Sequence, residues 1–107
     1  RVAFECAFSC TKVFRAPYIQ NIWMMETLSE TDFGLPGQHQ SFAPNLFVDI
    51  SPYQEKKEEI FRVFESEYAP HPFPRSIENL HALALNRGAT AGCFFAEAFM
   101  NIKTIIR

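Results

Sequence analysis

The sequence predicts a mixed α/β fold with an incomplete sheet, and three observations predict it. Two segments carry helix-start signals, at Ser51-Pro52 and at Ser76. Three short apolar stretches, Ile22–Met25, Leu46–Ile50 and Phe94–Met100, have the length of strands. Helices and strands alternate along the chain, the order of an α/β domain. So few strands leave a sheet unfinished, and the missing ones are expected upstream.

Residues 1–14 read as helix: Ala3, Ala7, Cys10 and Phe14 fall near helical spacing. Pro17 ends it, since the residue before a proline is turned away from helical angles. Ile19 to Leu28 follows as a strand centred on Ile22-Trp23-Met24-Met25, apolar enough to be buried on both faces. Residues 29–45 are a loop punctuated by Gly34, Pro36, Gly37 and Pro44, longer than most connections in a small domain. After the strand Leu46–Ile50, Ser51 caps, Pro52 suits the first helical position and Gln54 completes a capping box. Tyr53, Lys57, Ile60, Phe61, Phe64 and Tyr68 then form one stripe of this helix, and Glu58 pairs with Arg62 on the other face.

Three prolines between Ala69 and Arg75 exclude both helix and central strand there. Ser76 caps the next helix, which runs through Arg87 with Ile77, Leu80, Leu83 and Ala84 on one side. Gly88 falls where a left-handed stop belongs. Phe94–Met100 is the last strand, and a charged Glu97 inside it has to be buried and bonded, to a loop backbone, Arg75 or Arg87. The whole is expected to be one domain over residues 1–107.

Composition narrows the function classes. The net charge is −2 and no basic stripe exists, which gives no support for nucleic acid binding. No apolar run approaches the ~18 residues of a membrane span. Three cysteines, an odd number without a recognisable leader, fit a reducing cytoplasmic setting. Cys6 and Cys10 stand one helical turn apart, and Cys93 is separate. All three read as small residues on buried faces, because a tetrahedral metal site needs more ligands nearby. Twelve phenylalanines in 107 residues exceed what a small core needs, so part of the aromatic surface is expected to meet another segment or subunit, as in a homo-oligomer.

The polar residues that stand out are few. Glu26, Ser29 and Thr31 follow a buried strand, where open α/β sheets bind ligands, or they only shape the turn. His71 sits in the Pro-rich turn, beside a substrate cleft or as an anchor of the turn itself. Arg75 has a fork of donors for a sugar hydroxyl, a phosphate or a nearby carboxylate. His39 lies in the long loop, within reach of a ligand, and His81 lies at the edge of a helix. None of the histidines has metal-ligand spacing.

Four strings in order resemble the LmbE/PIG-L family of N-deacetylases. They are Glu26 with Ser29-Glu30-Thr31, then Phe42-Ala-Pro-Asn45-Leu-Phe47-Val-Asp49-Ile50. After these come His71-Pro72-Phe73-Pro74-Arg75-Ser76, and finally Arg87-Gly88 with Gly92 and Ala96-Glu97-Ala98-Phe99. The third carries an extra Phe-Pro relative to the family's His-Pro-Arg-Ser. Together they span nearly the whole chain.

The resemblance implies a Rossmann-like α/β/α sandwich, of which this chain is the C-terminal part. It implies hydrolysis of the acetamide of an N-acetyl amino sugar or its glycoconjugate, with zinc as the metal. The family holds that metal with a His-Pro-Asp-Asp string and a later Asp-His pair. Neither occurs here, and Arg1 is similar to the residue that follows the Asp-His pair. The chain is therefore expected to contribute cleft walls rather than metal ligands or catalytic groups. Its substrate-binding candidates are Glu26, Ser29, Thr31, His71 and Arg75, and it is expected to depend on an N-terminal half for zinc. The same residues admit a second reading, a scaffold or interaction module that lacks the chemistry.

Overall fold

The computed structural model describes residues 2–28 and 42–107. Ser29, Thr31 and His39, named above, lie outside the described residues. The elements in order are α1 (Val2–Cys10), β1 (Asn21–Met25), β2 (Leu46–Asp49), a 3₁₀ turn (Ser51–Tyr53), α2 (Gln54–Val63), α3 (Ile77–Ala91) and β3 (Ala96–Thr104). This is a mixed α/β fold. The strands form one sheet in the order β1-β3-β2, with β2 antiparallel to β3 and Leu46 opposite Phe99. The chain divides into two compact units, Arg1–Met24 with Asn101–Arg107, and Met25–Met100.

In the smaller unit the first helix is shorter than its periodicity predicts. It ends at Cys10 because both the backbone N–H and the hydroxyl of Thr11 donate to the Phe8 carbonyl, the hydroxyl at 2.7 Å. No residue of α1 is buried, and Cys6 and Cys10 are exposed, contrary to the expectation for them. The first strand-like run is also shorter than expected. Its residues alternate between exposed and half-buried, so β1 is not covered on both faces. The chain closes back here through the Ile105 N–H on the Gln20 carbonyl, 3.0 Å.

The larger unit carries the core. Leu80, Ala84 and Gly88 of α3, spaced four apart, are buried, as are Ala96 and Ala98 of β3, and Leu80, Ala84, Ala96 and Ala98 line one cleft. Ser76 caps α3 as its position predicts, accepting from the Asn79 N–H at 3.0 Å, a bond worth ~1 kcal/mol. The Asn79 side chain in turn donates to the Pro74 carbonyl at 2.7 Å, tying the helix to the Pro-rich turn.

The stop of α3 differs from the sequence expectation. The helix continues through Gly88 to Ala91, and Gly92 is the left-handed residue, φ 86°. Gly88 is needed for another reason. A Cβ there would collide with the Phe94 carbonyl oxygen and lie 2.7 Å from that of Cys93. The N–H groups of Gly92 and Cys93 both donate to the Gly88 carbonyl, which closes the helix end.

The start of α2 differs too. Ser51 does open a helical turn, but no side chain caps it. Asp49 Oδ1 accepts from the Ser51 N–H at 2.9 Å and from its hydroxyl at 2.6 Å, an Asx-type turn. Gln54 does not reach back. It is buried, and its Nε2 donates forward to Glu58 at 3.0 Å. The helix also stops at Val63, before the expected Tyr68, although the Phe61 and Tyr68 rings still meet at 5.7 Å.

Candidate functional site

Within the larger unit a cleft of about 90 Å³ opens where α3 meets the first half of β3. Its walls include Glu26, Lys57, Leu83, Arg87, Glu97 and Phe99. Two ion pairs frame it. Arg87 forks onto Glu26, with Nε to Oε2 at 3.0 Å and Nη2 to Oε1 at 2.6 Å. Only about a fifth of Arg87 and an eighth of Glu26 remain exposed. The hydrogen bonds from Arg87 to Glu26 hold the guanidinium above its ordinary pKa, against the opposing effect of burial, and the carboxylate charge adds to the rise. Lys57 Nζ meets Glu97 Oε1 at 2.7 Å.

Glu97 corrects the sequence expectation. Its side chain is 38% exposed and its partner is Lys57 of α2, neither a loop backbone nor an arginine. Strand alternation explains this. Ala96 and Ala98 take the buried face, and the intervening residue takes the other. The expected Glu58–Arg62 pair is likewise replaced. Glu58 Oε1 meets His81 Nδ1 of α3 at 2.7 Å and also accepts from Gln54. Burial pushes the Glu58 carboxyl up. The hydrogen bonds from His81 and Gln54, with the charges of His81 and Arg62, outweigh that and leave it below its ordinary value.

A third polar group lies at the end of β2. The Ser51 hydroxyl accepts from the Phe95 N–H at 3.1 Å while donating to Asp49. Both Ser51 bonds, hydroxyl first, pull the Asp49 carboxyl down, and Cys93 contributes last. Cys93 is half-buried, and burial with the Asp49 charge pushes its thiol up, so it stays protonated rather than becoming a nucleophile.

Of the sequence candidates, the structure places Glu26 in the cleft wall. His71 is exposed in the Pro-rich turn, and neither it nor Arg75 lines the cleft. Arg75 Nε donates to the Glu67 carbonyl at 2.8 Å, and its guanidinium lies 5.4 Å from the Phe73 ring centre, so it pins the turn that precedes Ser76. Reading the sequence missed Arg87 as a cleft residue and His81 as the partner of Glu58. The signal for Arg87 was its place in the Arg-Gly string. For His81 nothing local pointed across to α2.

Chemically, both oxygens of Glu26 hold an arginine, so it is an anchored wall with lone pairs left for a hydroxyl donor rather than a free base. Zinc does not fit what is present. Among the described residues no group of three His, Cys, Asp or Glu side chains could hold a metal ion. Among the same residues no helix is long and apolar enough to cross a membrane. Comparisons of the chain with protein families, with curated proteins and with solved structures find no match.

Proposed function

We propose that this chain is the C-terminal portion of a cytoplasmic, zinc-dependent N-deacetylase of the LmbE/PIG-L type, built on a Rossmann-like sandwich and acting on an N-acetyl amino sugar or its glycoconjugate. The observation that carries the reading is that the strings which resemble the family are bonded to one another. Glu26 of the first string forks onto Arg87 of the last. The Leu46–Asp49 stretch of the second pairs residue by residue with Ala96–Phe99 of the last. Ser76 of the third caps the helix that carries Arg87. Each of these bonds joins residues of two different strings, or ties one string to the helix that carries another, within the larger unit.

In this reading the chain supplies a wall of the substrate cleft. An amino sugar presents hydroxyls beside an apolar ring face. The cleft offers paired charges beside Met25, Leu83 and Phe99. The zinc ligands come from a segment outside these 107 residues, and no proton or metal step falls to the residues described.

Titration calorimetry with zinc tests the division of labour. The 107-residue chain is expected to bind no zinc tightly. The same chain joined behind a family segment bearing His-Pro-Asp-Asp and Asp-His should take up about one ion per chain, as a single-metal hydrolase requires. Tight stoichiometric zinc on the isolated chain, or a folded joined protein that takes up none, contradicts the reading.

A further inference from the structure

α2 is built inside out. The side that meets α3 carries the buried Gln54 and the Glu58 that bonds His81, with the half-buried Phe61 on the same face. The opposite side carries Tyr53, Lys56, Lys57, Ile60, Val63 and Phe64, which fall within one stripe at helical spacing. The four apolar members of that stripe are exposed by 66, 53, 75 and 57%. Around Tyr53 and Ile60 the stripe deepens into a shallow groove of about 320 Å³, floored by Ile50 and rimmed by Lys56 and by the Lys57–Glu97 ion pair. The helix ends in the exposed Val63 and Phe64, followed by the exposed Glu65 and Glu67, which are opposite in charge to Lys56 at the groove rim. Lys56 has only a half-solvated contact, with Glu59 at 3.3 Å on its own helix, and both partners are more than 60% exposed.

We propose that the exposed stripe of α2 is a two-fold interface between copies of this chain. Two α2 helices lie antiparallel, and the Val63-Phe64 end of each enters the Tyr53–Ile60 groove of the other. Lys56 of each copy then faces Glu65 and Glu67 of its partner. Antiparallel packing is what makes one surface serve both sides, the requirement of an isologous dimer. A polar face turned inward and an apolar face turned outward is the amphipathic pattern of a helix whose outer side is covered in the assembled protein. This proposal goes beyond the deacetylase reading and does not depend on it.

Sedimentation equilibrium of the full 107-residue chain, with circular dichroism to confirm folding, is the test. The expected mass is twice the 12.3 kDa of one chain. Ile60→Asp is expected to weaken the dimer at least ~10-fold while leaving the helical spectrum unchanged, because Ile60 already faces water in the single chain. Lys56→Glu alone and Glu65→Lys/Glu67→Lys alone should each weaken it, since each sets like charges face to face. Mixing the two charge variants should restore a mixed dimer. A chain that stays monomeric at every concentration overturns the proposal. A dimer indifferent to both Ile60→Asp and the charge swaps overturns it as well.

Discussion

Gly88→Ala puts the packing of α3 to the test. Gly88 lies within the helix, where alanine is the better helix former by ~1 kcal/mol. The added methyl would be driven into the carbonyls of Phe94 and Cys93, which are backbone atoms and cannot swing aside. Overpacking of this kind typically costs ~1–3 kcal/mol. Forcing residues 93–94 away also weakens the Cys93 N–H bond to the Gly88 carbonyl, at about 0.5–1.5 kcal/mol. The balance is a loss of about 1–3 kcal/mol, or a fall in melting temperature of roughly 5–15 °C for a domain near 100 residues. Thermal and urea unfolding followed by circular dichroism measure it. Gly92→Ala is the companion variant. Its φ is left-handed and the space around it is open, so it loses only the ~1–2 kcal/mol of an alanine in that region. A Gly88→Ala protein as stable as the parent would refute the close approach of α3 to residues 93–94.

Three further outcomes follow from the ion pairs. Arg87→Ala leaves the mostly buried Glu26 without its fork and is expected to cost ~2–3 kcal/mol in urea unfolding, with Arg87→Lys recovering only part of it. Glu97→Ala breaks a pair whose two side chains are each a third or more exposed, so its loss should stay within ~1 kcal/mol; a drop several times larger would mean that Glu97 is buried after all. Glu58 has a folded-state pKa below its ordinary 4.5, so its contribution is present above that value and lost as pH falls through the lower folded value. Stability measured from about pH 5 down to about pH 3 should therefore fall less steeply in Glu58→Gln than in the parent, and equal slopes would remove Glu58 from the acid response.

What the sequence made legible was local. Ser76 as a cap, the break at Ala69–Arg75 and the strands at Leu46–Asp49 and after Phe95 all follow from residues within a turn or two of each other. What it hid depended on groups far apart in the chain. Gly88 looks like a stop until residues 93–94 fold back over it. Glu97 looks buried until β3 takes its register and Lys57 arrives from α2. Ser51 looks like a cap for its own helix, yet its hydroxyl is shared between Asp49 and Phe95. The apolar stripe of α2 was visible as a stripe, but periodicity does not say which side of a helix a core will take, and here the polar Gln54 is buried and Phe61 half-buried while Tyr53, Ile60 and Phe64 face water. Of the site, Glu26 was named from its place after a strand, whereas its partner 61 residues away was not.

The central claim is chemical, and acetate release tests it most directly. The chain, joined behind a family segment that carries the His-Pro-Asp-Asp and Asp-His ligands, is incubated with N-acetylglucosamine and its glycoconjugates, and free acetate is quantified before and after chelation and on return of zinc. The account predicts acetate release that chelation abolishes and zinc restores, and no release from the 107 residues alone. A folded, zinc-loaded joined protein that releases no acetate from any N-acetyl amino sugar, or metal-dependent release by the 107-residue chain alone, would contradict it.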